Sequence, residues 1–123
     1  MRHPERLSDY LEHIVEAIER AVSYLEALQN FEAFEQSRQL QDAVVRNIEI
    51  IGEAVNQIQR VAPDFIDRHP EVPWPQMGAM RNRMIHGYFL VDPKIVWTTV
   101  KNDLPRLRQQ IDDLLTELRC GLG

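Results

Sequence analysis

An all-α bundle of four main helices is the fold class this sequence predicts, and three observations predict it. Apolar residues recur at three- and four-residue steps through most of the chain. No stretch keeps the period of two that marks a half-buried strand. Prolines cluster where that helical period breaks off. With 123 residues, 44% of them hydrophobic, the chain reads as a single domain over 1–123. Its core is large enough to need neither a disulfide nor a structural metal.

The first helix is expected from about Ser8 to Leu28, with Leu11, Ile14, Val15, Ile18, Val22, Leu25 and Leu28 as its buried stripe. Asp9 and Glu12 have the spacing of a capping box, and Ser8 is the competing cap. The second is expected from about Glu35 to Arg60, on a stripe of Leu40, Val44, Ile48, Ile51, Val55 and Ile58. Gly52 lies within it at a cost of about 1 kcal/mol relative to alanine, which suggests that another backbone comes close there. A short helical turn over Pro63–Arg68 is ended by His69-Pro70, within a proline-rich connection that runs to Pro75. The third helix starts at Pro75, a favoured first position, and stops near His86, because Gly87 suits the residue after a helix. Asp92-Pro93 starts a fourth, which continues through Ile95, Val96, Val100, Leu104, Leu107, Ile111, Leu114, Leu115 and Leu118. Pro105 kinks it or splits it in two.

A net charge of −5 argues against general nucleic-acid affinity, but the charge is unevenly spread. Residues 1–33 carry three arginines against seven carboxylates, and residues 75–110 carry six cations against Asp92 and Asp103. An anionic ligand fits the second region, and two solvated helix faces explain the same numbers. The lone cysteine, Cys120, and the lack of a basic-then-apolar leader lead us to expect a cytoplasmic protein. No apolar run approaches the ~18 residues of a membrane span.

Chemistry concentrates in one octapeptide, Arg81-Asn82-Arg83-Met84-Ile85-His86-Gly87-Tyr88. Arginine offers a permanent cation in a planar fork that suits phosphate. Histidine is the side chain that titrates near neutrality. Together they meet the needs of RNA cleavage without a metal. A base takes the 2′-hydroxyl proton, the oxygen attacks the adjacent phosphorus, and a cation stabilises the charge that develops. Arg81 and His86 are about 140° apart around a helix, whereas Asn82 and His86 share a face. A second copy of the chain is one way to supply the missing partner across a two-fold axis. The dipole at a helix C-terminus favours the protonated imidazole, hence general acid over general base. The same residues also suit a purely structural role, with Asn82 bonded to backbone and Tyr88 in the core.

The pattern Arg81-Asn82-x3-His86-x-Tyr88, preceded by Pro73-Trp74 and followed by Phe89, resembles the signature of the HEPN superfamily. More narrowly, it is similar to the HepT toxins of the HepT–MntA toxin–antitoxin systems. Glu49-Ile50-Ile51-Gly52-Glu53-Ala54 and Asp103-Leu104-Pro105 extend the resemblance over nearly the whole chain. It implies an up-down HEPN four-helix bundle that forms a homodimer, with a metal-independent endoribonuclease site at the dimer cleft and no cofactor. On that resemblance Arg81 and His86 are the catalytic pair, with Asn82 in support. Tyr88 is the tyrosine that a nucleotidyltransferase antitoxin of the MntA kind modifies by AMPylation, which blocks the site. Glu53 either orients Arg81 or His86 or simply faces solvent, and Arg83 either contacts RNA phosphate or is an ordinary surface charge. The resemblance leaves open whether transfer or messenger RNA is cut.

Rival chemistries find less support. A di-iron bundle needs Glu-x-x-His, which is absent here, and His13 with Glu16 has the reverse order. Cys120 lies in a tail without local activation, and there is no phosphate-binding glycine loop. The remaining alternatives are a HEPN module that binds nucleotide or RNA without cutting it, and a protein-interaction subunit.

Overall fold

The computed structural model describes residues 4–86 and 92–120, with side chains placed at 7–80 and 92–120. Every regular element among the described residues is helical, as the sequence predicts. Four helices form the bundle: α1 (Pro4–Glu26), α3 (Arg38–Val61), α5 (Trp74–His86) and α7 (Leu104–Arg119). Between them lie the short helices α2 (Phe31–Glu35), α4 (Pro63–Arg68) and α6 (Pro93–Thr98), and a π-helical turn over Thr99–Asp103.

Helix α3 is the central element, packed between α1 on one side and α5 on the other, while α7 lies against α1. The core follows the expected stripes. Leu11, Ile14, Ile18 and Leu25 of α1 are buried against Val44, Ile48, Ile51, Val55 and Ile58 of α3 and against Leu104, Leu107, Ile111, Leu114 and Leu115 of α7. Val15, Val22 and Leu28 are only half-buried at its edge. Ile48 is fully enclosed, so Ile48→Ala leaves a cavity. We expect a loss of about 2–5 kcal/mol in the free energy of unfolding, measured by urea titration.

One polar side chain, Asn47, is buried among the described residues. Its Nδ2 donates to the Ala43 carbonyl at 2.9 Å, and its Oδ1 accepts from Arg20 Nε at 2.8 Å. Both ends of the amide are satisfied, so the group costs little and ties α1 to α3. On the surface, Arg108 pairs with Glu19 at 2.5 Å and Arg119 pairs with Glu12, two links between α7 and α1. Exposed pairs of this kind add little stability, and only the Arg108–Glu19 pair joins the acidic and cationic regions of the sequence.

Two expectations about helix ends need correction, and a third is met. Helix α1 begins at Pro4, so Ser8, Asp9 and Glu12 lie inside it and form no cap. Proline fits a helix start, and the apolar stripe already includes half-buried Leu7 upstream of the expected cap. The second expected helix starts at Arg38 rather than near Glu35, because Ser37 leaves the helical backbone and its hydroxyl accepts from Leu40 N at 3.2 Å. Glu35 instead ends the separate short helix α2, which was not expected. Gln41 Nε2 donates to the carbonyls of Phe34 and Glu35, both at 2.9 Å, and fixes the end of α2 beside that new start. Near Pro105 the split is real, and its form is the π-helical turn before α7. Its wider turn lets the chain pass from α6 into a helix with proline in its first turn, where no intrahelical donor is lost.

Candidate functional site

Helix α5 carries the octapeptide as far as His86, and its first turns fix its position. The Pro73 carbonyl accepts from Met77 N at 3.1 Å, and the Trp74 amide donates to the Val72 carbonyl at 2.8 Å. Trp74 Nε1 donates to the His69 carbonyl at 2.9 Å, so the indole is both buried and hydrogen-bonded. Phe65 of α4 packs edge-on against it, with ring centroids 6.3 Å apart. Just upstream, Glu71 meets His69 Nδ1 at 3.2 Å. A backbone hydrogen bond lowers the Glu71 carboxyl from its ordinary value, opposed by desolvation and aided by the hydrogen bond and charge of His69. The Pro73-Trp74 dipeptide of the sequence pattern is therefore the anchor that sets the angle of α5.

Met77 is buried, and Gly78 faces α3 at close range. A Cβ on Gly78 would lie 3.4 Å from Asn56 Oδ1. Gly78 is thus in contact with α3 through the Asn56 side chain. Gly52, the glycine that sequence reasoning singled out, is buried in α3. Trp74, Gly78 and Ala79 share a groove with Gln59, Asn56 and Val55, so the two helices run antiparallel. Four residues along α5 from Gly78 is position 82, and four residues back along α3 from Asn56 is Gly52. Each step is about 6 Å, so position 82 stands level with Gly52.

This register brings the two stretches that carry the sequence pattern to one end of the α3–α5 pair. Glu49–Ala54 of α3 runs alongside the last turns of α5, which hold Arg81, Asn82, Arg83 and His86. Helical backbone continues to His86, so Asn82 and His86 lie on the face that continues from Gly78, and Arg81 continues the line of Trp74 and Met77. Tyr88 lies outside the described residues.

Glu53 is exposed on the outer edge of α3, and its Oε2 accepts from Gln57 Nε2 at 3.3 Å. It also lines a groove of about 400 Å³ between α1 and α3, with Tyr10, His13, Arg46, Glu49 and Ile50. Glu49 pairs with Arg46 in the same groove at 3.5 Å. Sequence reasoning did not single out Tyr10 or Arg46, and it took Glu49 only as part of the Glu49–Ala54 stretch. Only the (i, i+3) spacing of Arg46 and Glu49 hinted that the two would meet.

Of the secondary candidates, His13 lines the groove that holds Glu49 and Glu53. His13 and Glu16 are both exposed on α1, and Cys120 is an exposed free thiol. Among the described residues no group of three or more His, Cys, Asp and Glu side chains converges. No described helix is long and apolar enough to cross a membrane.

Comparison with known proteins places these features in a family. The profile described as Ribonuclease HepT-like matches residues 14–114. A protein named "Probable ribonuclease HepT" from Thermococcus cleftensis is 44% identical over 106 residues, which is 86% of this chain and 93% of that protein. A protein provisionally named an RNase from Caldanaerobacter subterraneus subsp. tengcongensis is 37% identical over 106 residues, 86% of this chain and 91% of its own. No solved structure gives a significant match.

Proposed function

The chain belongs to the HepT-like ribonuclease family of the HEPN superfamily, and on that premise we propose that residues 1–123 form one HEPN domain acting as a metal-independent endoribonuclease. The observation that supports the proposal is the family match over residues 14–114, together with the Arg81-Asn82-x3-His86 pattern on the last turns of α5.

The reaction needs only groups this chain supplies. The imidazole of His86 takes the proton of the 2′-hydroxyl, or gives one to the departing 5′-oxygen. A bond forms from O2′ to phosphorus and the bond from phosphorus to O5′ breaks. The products are a 2′,3′-cyclic phosphate and a 5′-hydroxyl. Arg81 stabilises the charge that gathers on the phosphoryl oxygens. Asn82, on the same helix face as His86, orients the imidazole or the phosphate by hydrogen bonding. Arg83 adds a backbone phosphate contact, and Glu53 supports the site from α3 through a charge-assisted bond.

Arg81 and His86 are separated by about 140° around α5, which favours a homodimer with two copies of the motif facing one cleft. A mixture of Arg81→Ala and His86→Ala chains tests that sharing. Hybrid dimers are expected to recover activity that neither parent shows, read as cleavage of labelled RNA after co-refolding. A mixture no more active than its parents would place both groups of each site on one chain.

Control of such an enzyme fits Tyr88. We assign to it the role of acceptor for AMP from a nucleotidyltransferase partner in a toxin–antitoxin pair. The Tyr88 oxygen attacks the α-phosphorus of ATP, and pyrophosphate leaves. The product carries a phosphodiester charge two residues from His86, where it competes with substrate phosphate.

A further inference from the structure

The groove between α3 and the first half of α5 has no part in the chemistry just described. It encloses about 380 Å³, and Asn56, Gln59, Trp74, Pro75, Gly78 and Ala79 form most of its wall. We propose that it is a nucleobase subsite, which holds one unpaired base of the RNA strand next to the cleavage point. The inference rests on the ribonuclease reading for its ligand and on three observations for its place.

Helix register is the first of them. At 100° per residue, positions 75, 78, 79, 82 and 86 fall within a sector of about 100° on α5. The groove therefore lies on the same face as Asn82 and His86. From Gly78 to His86 is eight residues, a rise of about 12 Å, which a short stretch of single-stranded RNA spans. A strand with its phosphate at the end of α5 can lay a neighbouring base along this face.

The chemistry of the wall is the second. Asn56 and Gln59 are exposed, and no hydrogen bond from either side chain is found among the described residues. Each amide offers donors and an acceptor, which suits the edge of a base. Neither carries charge, so the groove does not compete with the arginines for phosphate. Single-stranded RNA is read in this way, by hydrogen bonds to base edges and by contact with flat side chains.

Shape is the third. Gly78 and Ala79 leave the α5 wall almost flat, and Pro75 adds an apolar surface at its outer end. Trp74 closes the floor and is held by its bond to the His69 carbonyl. A Cβ at Gly78 would already touch Asn56 Oδ1 at 3.4 Å, so a bulky side chain such as leucine would extend into the groove.

The chain has two tryptophans, so Trp97→Phe leaves Trp74 as the sole indole reporter. In that background, with His86→Ala to prevent turnover, the full-length protein is titrated with short single-stranded RNAs, each of one base type. A saturable change in Trp74 fluorescence is expected, with one base preferred by about tenfold, as for a good amide–base pairing. Asn56→Ala/Gln59→Ala should flatten that preference, and Gly78→Leu should remove the fluorescence change. RNA binding without any Trp74 response, or a base preference that survives the double substitution, overturns the subsite. So does a double variant that shifts only the oligomeric mass, which would mark the groove as a contact between copies. If Trp74 responds with base preference but the unsubstituted protein never cleaves RNA, the subsite stands and the ribonuclease reading fails.

Discussion

His86→Ala is expected to lower RNA cleavage by roughly 10²- to 10⁴-fold, the range for a lost general acid or base. RNA affinity should change little, because the cations that attract phosphate remain. The two readings of this site separate on that split. A catalyst loses turnover and keeps binding. A module that only binds RNA shows no cleavage to lose, and a protein-interaction subunit shows neither. The measurement pairs a single-turnover cleavage assay with a binding titration on the same RNA. Helix integrity is not at stake, since alanine is the best helix former and the substitution lies in the last turn of α5.

Second in expected size is the effect of AMP on Tyr88. Purification together with a nucleotidyltransferase of the proposed kind should add one or more AMP units to the intact mass, localised to Tyr88 by peptide mapping. The modified protein should cleave RNA at least about 100-fold more slowly, since the tethered phosphodiester occupies ground that substrate phosphate needs. Tyr88→Phe should accept no AMP and escape the partner's control while still cleaving RNA. If Tyr88→Phe still gains AMP and is still silenced, the acceptor lies elsewhere in the chain.

The helical stripes show how far sequence alone reaches. Ile48, Ile51, Val55 and Ile58 recur at helical steps, and all four are buried in α3. Periodicity is a property of many residues together, so it survives local irregularity. Helix ends are the opposite case, because one side chain decides them. Ser37 starts α3 with a single hydroxyl, and the six-residue gap from Phe34 to Leu40, which is not a helical step, marks the break without fixing the residue at which it falls. Asp9 and Glu12 have capping-box spacing, but Pro4 and Leu7 had already started the helix upstream. At Pro105 the sequence states that an ordinary helix cannot continue unchanged, without saying that a π-helical turn absorbs the misfit.

The candidate site divides in the same way. Its residue types and spacing are local, and the octapeptide displays them in full. Its surroundings depend on pairing α3 with α5 in one register, which no local pattern encodes. Gly78 shows this well. In sequence it is an unremarked residue between Met77 and Ala79, and in the fold it meets the Asn56 side chain of α3. The groove of Asn56 and Gln59 follows from that contact, and neither amide stands out in the sequence.

The central claim is that this chain cuts RNA by 2′-hydroxyl attack with its own side chains and no metal. The most direct test is to incubate the unmodified protein with a defined single-stranded RNA in excess EDTA and to identify the new ends by mass. The account predicts undiminished cleavage, with a 2′,3′-cyclic phosphate on one fragment and a 5′-hydroxyl on the other. Cleavage that stops in EDTA, or fragments that carry a 5′-phosphate and a 3′-hydroxyl, would contradict it.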